Sequence, residues 1–398
     1  MRLSIASLAL CVFGITTGEF VIAGILPDLA TDLGVSIPAA GLLVTAYAIG
    51  MIVGGPTLTA LTTRYPRKPL MVVLLAVAVV GNLVSALAPS YAILFVARVI
   101  AASITSTFFA NAVVTAIATA PEGKQASTVS KLVFGMNVAM ILGAPLGTFI
   151  GSHYGWRATF AAIAVVGVIG LLLVLQLVPS VPNSGGSVAS ELRAFRNRDL
   201  QLALAVYAVA NAGILMVFTY FAPLLTDVSG FSSGSIAIWL LVYGVGATVG
   251  NLVGGRLWDQ AKMPSQIGLL TLMAVALAVM WVTSSSTVII GVLVFIIGAL
   301  GFAVIPGMQA RVLGIASAAP TLALAVNASA YQVAAAFAGW MGGQVINTSG
   351  LRSMYLVAAA ITVAGIALSG LAWYRDRVAV EAESAQVPVA EPGKAETH

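Results

Sequence analysis

Long uninterrupted apolar runs alternate with short polar segments along almost the whole chain of 398 residues. The hydrocarbon core of a bilayer, about 30 Å thick, requires about 20 apolar residues in helical form. Only helices and closed barrels satisfy backbone hydrogen bonds in lipid, and long runs without alternation predict helices. We therefore predict an all-α integral membrane protein with twelve transmembrane helices, spans 1 to 12, at residues 3–27, 38–60, 70–88, 92–120, 132–151, 158–180, 201–224, 234–256, 266–284, 287–310, 321–345 and 353–374.

The polar segments divide the chain into two bundles of six spans. Residues 1–180 form the predicted N-terminal bundle and residues 201–375 the C-terminal bundle. The segment 181–200 is a predicted cytoplasmic linker, rich in Pro, Gly and Ser in its first half. The segment 376–398 has no apolar periodicity and is predicted to be a disordered tail. Span 1 could also be a secretory signal, but it is long for one and no small-residue cleavage site follows.

Composition supports lipid as the main solvent of the chain. Hydrophobic residues make up 60% and charged residues 8%, whereas soluble domains carry about 25% charged residues. Soluble enzymes, nucleic-acid binders, coiled coils and disordered proteins are therefore excluded. One cysteine and two histidines allow no internal disulfide and no metal cluster. We expect no enzyme activity, no metal and no cofactor.

Basic residues are concentrated in alternate segments between the spans. With the N-terminus inside the cell, fifteen of the eighteen lysines and arginines lie on the cytoplasmic side, and only Arg157 and Arg352 lie in outer loops. Because basic residues favour the cytoplasmic side, this pattern predicts that both termini are cytoplasmic in the plasma membrane of a bacterial cell. It also explains the net charge of +5 without a nucleic-acid partner.

The two halves of the chain resemble each other. Shifting the sequence by 196 positions aligns span 1 with span 7 and span 2 with span 8 without gaps. Two parallel six-helix repeats related by an axis along the membrane normal are typical of transporters. Chance matching of apolar helices is the alternative. The aligned pairs are Pro27 with Pro223, Gly34 with Gly230, Ser36 with Ser232, Tyr47 with Tyr243, Gly50 with Gly246, Val53 with Val249, Gly54 with Gly250 and Leu61 with Leu257.

Small residues recur at every fourth position in spans 2, 5, 8 and 11. This spacing places them on one helix face, where backbones can approach closely. Each ridge alone is explained by static packing, but their occurrence on repeat-related spans favours a moving contact between the two bundles. The ridges contain Gly50 and Gly54, Gly143 and Gly147, Gly246 and Gly250, and Gly339 and Gly343.

Four stretches of the chain resemble the major facilitator superfamily. The similarity extends to its twelve-span drug:proton antiporter branch, near the sugar-efflux and chloramphenicol-resistance exporters. The loop after span 2 departs from the family pattern, with Thr63 where Asp is usual, whereas Asp259 stands at the repeat-equivalent position. The similar stretches are Thr16-Thr17-Gly18-Glu19-Phe20 through Pro27, Leu61 through Pro69, Arg98, and Gly143-Ala144-Pro145-Leu146-Gly147 with Gly155-Trp156-Arg157.

Two ionisable residues lie well inside apolar runs, Glu19 in span 1 and Arg98 in span 4. A charge at the bilayer centre costs at least about 2.5–3.5 kcal/mol, so such residues face a cavity or each other. At about 1.5 Å per residue both lie about 6–12 Å outward of the midplane. They can meet if spans 1 and 4 are neighbours, as the resemblance implies. We interpret Glu19 as a proton-coupling carboxylate balanced by Arg98; a structural ion pair is the alternative.

The resemblance also implies a substrate cavity and a cytoplasmic gate. Spans 1, 4, 7 and 10 face the cavity in the family, and polar or aromatic residues on these or adjacent spans are candidates to line it. Each of these could instead form an interhelical hydrogen bond. The gate would be a latch between the bundles, although basic loops are also explained by topology alone. The cavity candidates are Phe108, Phe109, Asn111, Asn137, Tyr207, Asn211, Phe218, Tyr220, Asn327 and Tyr331, with Gln332 beside them, and the gate candidates are Arg64, Arg67, Lys68, Arg256 and Asp259.

These observations predict a monomeric, proton-coupled efflux transporter that works by alternating access. Its partners would be the lipid bilayer, protons and a small organic molecule, either a drug such as chloramphenicol or a sugar. One alternative is uptake or facilitated diffusion of a sugar or nucleobase. Another is a membrane sensor without transport, although neither terminus is long enough for a signalling domain.

Overall fold

The computed structural model describes residues 2–62, 64–121, 125–180, 198–315 and 320–386. All regular structure within these ranges is helical. Ten helices are long and apolar enough to cross a membrane. One of them, Ile236–Val282, contains both predicted spans 8 and 9 and is kinked at Ala261 and Lys262. The predicted span 11 lies in a further helix, Pro320–Ser349. The helices are therefore consistent with twelve spans.

The observed spans follow the apolar runs closely, and π-helical turns interrupt spans 2, 5 and 7 near their middle or end. Such turns are rare and are often found at functional sites. The bounds are span 1, Arg2–Phe20 and Ile22–Asp32; span 2, Ile37–Ile49, Gly50–Gly54 and Gly55–Thr62; span 3, Arg67–Ala86; span 4, Tyr91–Ala118; span 5, Gln125–Val138, Ala139–Gly143 and Ala144–Tyr154; span 6, Trp156–Leu177; span 7, Arg198–Thr219, Phe221–Pro223 and Leu224–Val228; spans 8 and 9, Ile236–Val282; span 10, Thr287–Ile315; span 11, Pro320–Ser349; and span 12, Met354–Gln386.

The prediction of a disordered tail from residue 376 is wrong for its first part. Span 12 continues as a helix to Gln386. Neither Gly nor Pro occurs between Leu371 and Gln386, so an established helix can propagate beyond the apolar segment. Asp376 also receives two hydrogen bonds from Arg311, of 2.5 and 3.0 Å. Residues 387–398 and most of the predicted linker lie outside the described residues.

The internal repeat is visible in the backbone as well as in the sequence. Gly34 and Gly230 occupy equivalent turns after spans 1 and 7, with φ of 63° and 74°. An L side chain is strained in this left-handed region, which explains the glycine at both positions. The equivalent prolines, Pro27 and Pro223, both follow a break in their span. Two parallel six-helix repeats are therefore the architecture of the chain.

The loops after spans 1, 3 and 5 meet at one end of the N-terminal bundle. Arg157 forms an ion pair with Asp32 and donates a 3.1 Å hydrogen bond to the carbonyl oxygen of Ala88. Trp156 donates to the same Asp32 carboxylate at 3.1 Å. In the C-terminal bundle, Arg352 bonds the carbonyl oxygen of Trp281 and so joins the loops after spans 11 and 9. We call this end of the molecule the far face.

The opposite end carries the start of span 7 and the end of span 12. Here Arg375 pairs with Asp199 at 3.2 Å, next to the contact between Arg311 and Asp376. We call this end the terminal face. The predicted topology places it in the cytoplasm.

We predict that Asp32 stabilises the far face in a pH-dependent manner. Hydrogen bonds from Arg157 and then Trp156 lower the pKa of Asp32. A depressed pKa adds stability above the ordinary value of about 3.9, and this stability is lost as pH falls through the folded value. The side chains of Arg157 and Asp32 are 40% and 45% exposed. We therefore expect the ion pair to contribute less than about 1 kcal/mol to the free energy of unfolding. Thermal unfolding of Asp32→Asn should show a slightly lower Tm than wild type at pH 7 and no difference well below pH 4; a difference that grows on acidification would contradict this.

Three of the four small-residue ridges pack inside a bundle, which corrects the prediction of a moving contact. In span 2, Gly50 and Gly54 face span 4. In span 8, Gly246 and Gly250 face the backbone of span 10. The ridge of span 5, with Gly143 and Gly147, faces span 1. Spacing identifies a close-packing face, but it does not show which neighbour approaches it.

The ridge of span 11 alone contacts the other bundle. A Cβ atom at Gly339 would lie 2.6 Å from Thr45 Oγ1 and 3.0 Å from the carbonyl oxygen of Gly41, both in span 2. Thr45 Oγ1 also donates a 2.9 Å hydrogen bond to the carbonyl oxygen of Ala336. These contacts lie in the half of span 2 nearest the far face. The terminal-face segments Gly55–Thr62 and Gln125–Val138 pack mainly on their own bundle.

Candidate functional site

A small cavity lies between the two bundles, at the level where their contact ends. Its volume is about 30 Å³, which accommodates about one water molecule. The sites of drug-sized ligands are larger, about 300–1,000 Å³. A substrate must therefore displace side chains of this wall or enter after the bundles move apart. The lining residues are Glu19, Phe20, Ala23, Val44 and Tyr47 from the N-terminal bundle and Leu215, Phe218, Thr219, Tyr331, Gln332 and Ala335 from the C-terminal bundle.

Glu19 contributes the carboxylate of this cavity. It lies one residue before the end of the first helix of span 1, and the helix resumes at Ile22. Gln332 Nε2, from span 11, donates a 3.0 Å hydrogen bond to Glu19 Oε1. Gln332 is 7% exposed. The cavity therefore contains a direct side-chain contact between the two bundles.

Arg98 is held behind Glu19 inside the N-terminal bundle. It is 2% exposed and donates a 2.6 Å hydrogen bond from Nη1 to the carbonyl oxygen of Gly18. Its guanidinium lies 4.4 Å from the ring centre of Tyr47, a cation–π contact. The structure confirms that spans 1 and 4 are neighbours, and it places the half-buried Glu19 close to the buried Arg98. Among the described residues, however, Arg98 forms no ion pair with Glu19.

Aromatic side chains make up much of the remaining wall. The rings of Phe20 and Phe218, from opposite bundles, meet edge to face with centroids 6.0 Å apart. Tyr47 and Tyr331 face the same space. Tyr47 donates its hydroxyl hydrogen to Thr105 Oγ1 at 3.0 Å, so its ring is fixed in place. The wall is thus apolar and aromatic, with a carboxylate and an amide as its main polar groups.

Two of the predicted cavity residues, Phe218 and Tyr331, line this cavity. Tyr220 instead lies at the contact between the bundles, where its hydroxyl donates a 2.7 Å hydrogen bond to the carbonyl oxygen of Gly339. A side chain at Gly41 of span 2 would overlap the Tyr220 hydroxyl. Tyr220 therefore supports the closure of the far face.

The predictions for span 4 are wrong for this cavity. Phe108 is fully buried in the apolar interior of the N-terminal bundle, and Phe109 packs against the same cluster. Asn111 donates its side-chain amide to the carbonyl oxygen of Thr107 in its own helix, at 2.8 Å. Asn137 is half-buried on span 5 and does not line the cavity. Membership of a cavity-facing span does not decide which side of the helix faces the cavity.

Tyr207, Asn211 and Asn327 also lie away from the cavity, inside the C-terminal bundle. Asn211 Nδ2 donates to the carbonyl oxygen of Tyr207 at 2.7 Å. The polar side chains of Asn327 and Gln309 lie near the Tyr207 hydroxyl. These residues form an interhelical polar cluster, which was the alternative interpretation for each.

The predicted gate residues do not join the bundles in this arrangement. Arg64, Arg256 and Asp259 are exposed, and no ion pair involves them in the described part of the chain. Lys68 is half-buried, and Arg67 is 9% exposed with its Nε atom unpartnered. These residues could form a latch between the bundles only in an arrangement with the terminal face closed. The latch therefore stays a prediction.

Sequence reasoning missed Tyr47 and Thr219 as lining residues. The sequence does contain a signal for Tyr47, because the repeat aligns it with an identical residue, Tyr243. The structure shows that both tyrosines are 3% exposed. No comparable signal marks Thr219. The hydrogen bond between Gln332 and Glu19 joins positions 313 residues apart, and neither residue predicts its partner by spacing.

Two helical bundles with a small cavity between them are typical of membrane transporters. Comparison with known proteins agrees. The sequence profile described as "Major Facilitator Superfamily" matches residues 8–321. The chain is 34% identical to the inner membrane transport protein YdhP of Escherichia coli K12, covering 91% of this chain and 93% of that protein. It is 35% identical to a chloramphenicol resistance protein of Streptomyces lividans, covering 84% and 87% of the two chains.

A solved structure shares the fold. The bacterial homologue of the human lysosomal transporter Spinster, in an inward-facing and unoccupied conformation, superposes with a TM-score of 0.74 at 16% sequence identity. The match covers 93% of this chain and 96% of that one. The chain belongs to the major facilitator superfamily and is a multi-pass membrane transporter.

Proposed function

We propose that this transporter exports a small, uncharged or weakly polar organic molecule in exchange for protons. The observation that carries the proposal is the position of Glu19, which is the only acidic residue to line the cavity between the bundles within the described part of the chain. A carboxylate between two moving bundles can bind a proton when one side is open and release it when the other side is open. No metal or cofactor is needed for this exchange.

The aromatic wall supports the proposed substrate class. Phe20, Tyr47, Phe218 and Tyr331 offer stacking surfaces, and Glu19 and Gln332 offer hydrogen bonds. Apolar pockets with a few polar groups suit neutral organic ligands. A relative named as a chloramphenicol resistance protein fits the same chemistry. A drug of this kind, or a sugar, is therefore the proposed substrate.

The arrangement of the bundles supports the proposed direction. The distribution of basic residues favours a cytoplasmic position for the terminal face and for both termini in a bacterial cell. The contacts of span 11 with span 2 close the far face, which would be the outside. If the closed far face is the outside, the carrier takes its substrate from the cytoplasm, and this is the direction that we propose. We propose that it acts as a monomer in the plasma membrane.

The proposal is tested by a screen of substrates in cells and in proteoliposomes. A panel of chloramphenicol, other neutral drugs and simple sugars is supplied to cells that produce the full-length protein, with and without a protonophore. We expect lower accumulation of one compound, reversed by the protonophore, and uptake into proteoliposomes driven by an imposed pH gradient. A substrate flux that does not depend on the pH gradient would favour facilitated diffusion. A bound compound without any flux would favour a sensor.

A further inference from the structure

We infer that Gln332 is a positioning residue that locks the empty carrier with its far face closed through its hydrogen bond to ionised Glu19. The inference rests on the proposed role of Glu19 in proton coupling. An exchanger must reorient with either substrate or proton bound, but not when it is empty. Some interaction must therefore hold the empty, ionised state in one arrangement.

The geometry places Gln332 where such a lock can act. Gln332 Nε2 lies 3.0 Å from Glu19 Oε1, and the two residues belong to different bundles. On span 11, Gln332 precedes Ala336 and Gly339, which lie on one face against span 2. The bond is thus the terminal-face end of a row of contacts between the bundles. Opening the far face separates these helices and must break it.

The strength of this bond depends on the charge of Glu19. A hydrogen bond to an ionised acceptor is roughly twice as strong as one between neutral groups. The bond therefore favours the closed far face when Glu19 is ionised and releases it when Glu19 takes up a proton. Because the cavity holds only about 30 Å³, an entering substrate must also displace the Gln332 side chain. Proton and substrate would then unlock the same bond.

Other groups around Glu19 do not titrate in the relevant range. The charged and titratable side chains that face it are Arg98 from span 4, Tyr47 from span 2 and Tyr331 from span 11. Guanidinium groups stay charged and phenols stay neutral near pH 7. Among the residues that the structure describes, no histidine and no second carboxylate lines the cavity. A pH response of the bundle arrangement near neutrality is therefore assigned to Glu19.

The test measures the separation of the far face in the full-length protein in lipid nanodiscs. Spin labels are placed at Ser90 in the N-terminal bundle and Ser285 in the C-terminal bundle, both exposed, with Cys11 replaced by Ser. On acidification, the ratio of open to closed far faces in wild type should rise about tenfold, because the hydrogen bond from Gln332 weakens when its acceptor becomes neutral. In the Gln332→Met variant, the far face should be largely open at every pH, and most of the increase in this ratio on acidification should be lost.

Matched variants separate the two proposals. Gln344→Met removes an exposed amide from the same span and should behave as wild type, and Gln332→Asn, whose amide is too short to reach Glu19, should repeat the effect of Gln332→Met. Glu19→Gln should abolish the pH response. A normal response in both Gln332 variants with a flat response in Glu19→Gln would overturn the role of Gln332 alone. A normal response in Glu19→Gln would overturn proton coupling through Glu19.

A transport measurement provides a second readout that a merely structural role would not change. If the empty carrier reorients freely, substrate leaks down its own gradient without proton exchange. Proteoliposomes with Gln332→Met should show a severalfold faster leak in the absence of a pH gradient, while Gln344→Met should not. An unchanged leak in a correctly folded Gln332→Met protein would contradict the lock.

Discussion

Glu19→Gln is expected to abolish transport driven by a pH gradient while the protein still binds its substrate. The amide keeps the size of the side chain and its contact with span 11 but cannot exchange a proton. Net export requires the carboxylate to lose a proton on one side and gain it on the other. Exchange of labelled for unlabelled substrate requires no such step, so it should continue at a rate close to that of wild type.

The measurement compares gradient-driven uptake with exchange in the same preparation of proteoliposomes. Asp28→Asn is the matched control, because Asp28 lies on the continuation of span 1 but is exposed near the far face. It should retain gradient-driven transport. The proposal would be falsified if Glu19→Gln kept full gradient-driven transport. Loss of both activities together with loss of substrate binding would show that Glu19 serves binding and not coupling.

Gly339→Leu is expected to arrest the transporter with its far face open. Even a Cβ atom at this position would lie 2.6 Å from Thr45 Oγ1 and 3.0 Å from the backbone of Gly41. These atoms belong to the other bundle, so the clash is relieved when the bundles separate. Overpacking costs about 1–3 kcal/mol, which shifts the equilibrium about fivefold to 150-fold towards the open far face. Transport should fall accordingly while the protein remains folded.

Gly250→Leu is the matched control, because the same substitution on another ridge should have a different result. A Cβ atom at Gly250 would overlap the backbone of Ala299 within the C-terminal bundle. Separation of the bundles cannot relieve this contact, so the bundle itself should lose stability. We expect a low yield of monodisperse protein and a lower Tm. Distance measurements between Ser90 and Ser285 distinguish the two outcomes; a closed far face in folded Gly339→Leu would contradict the assignment of its ridge.

The apolar runs were sufficient to predict the helices. Span 4 was placed at residues 92–120 and is observed at Tyr91–Ala118. A membrane-spanning helix needs about 20 consecutive apolar residues. Because these residues are neighbours in the chain, the sequence alone shows where the helix lies. The end of span 12 was misplaced, because helix propagation beyond the membrane depends on helix propensity and not on hydropathy.

The candidate site was predicted in part. Glu19 stood out because a lone acid in an apolar run is costly unless it faces a cavity, and it does face one. Other cavity residues were predicted only because they lie on spans that face the cavity in the family. Two of them, Phe108 and Tyr207, pack in the interior of their own bundles instead. The face that a residue presents depends on which helices surround it.

The sequence by itself determined the solvent of this protein, the approximate limits of its helices, the duplication of its halves and the presence of one acid within an apolar span. Each of these can be read from neighbouring residues or from the alignment of one half of the chain with the other. Only the tertiary structure decided that Glu19 meets Gln332, that Arg98 holds the backbone at Gly18, and that just one glycine ridge lies between the bundles. Such contacts join positions far apart in the chain, and the three-dimensional packing of all the helices selects them.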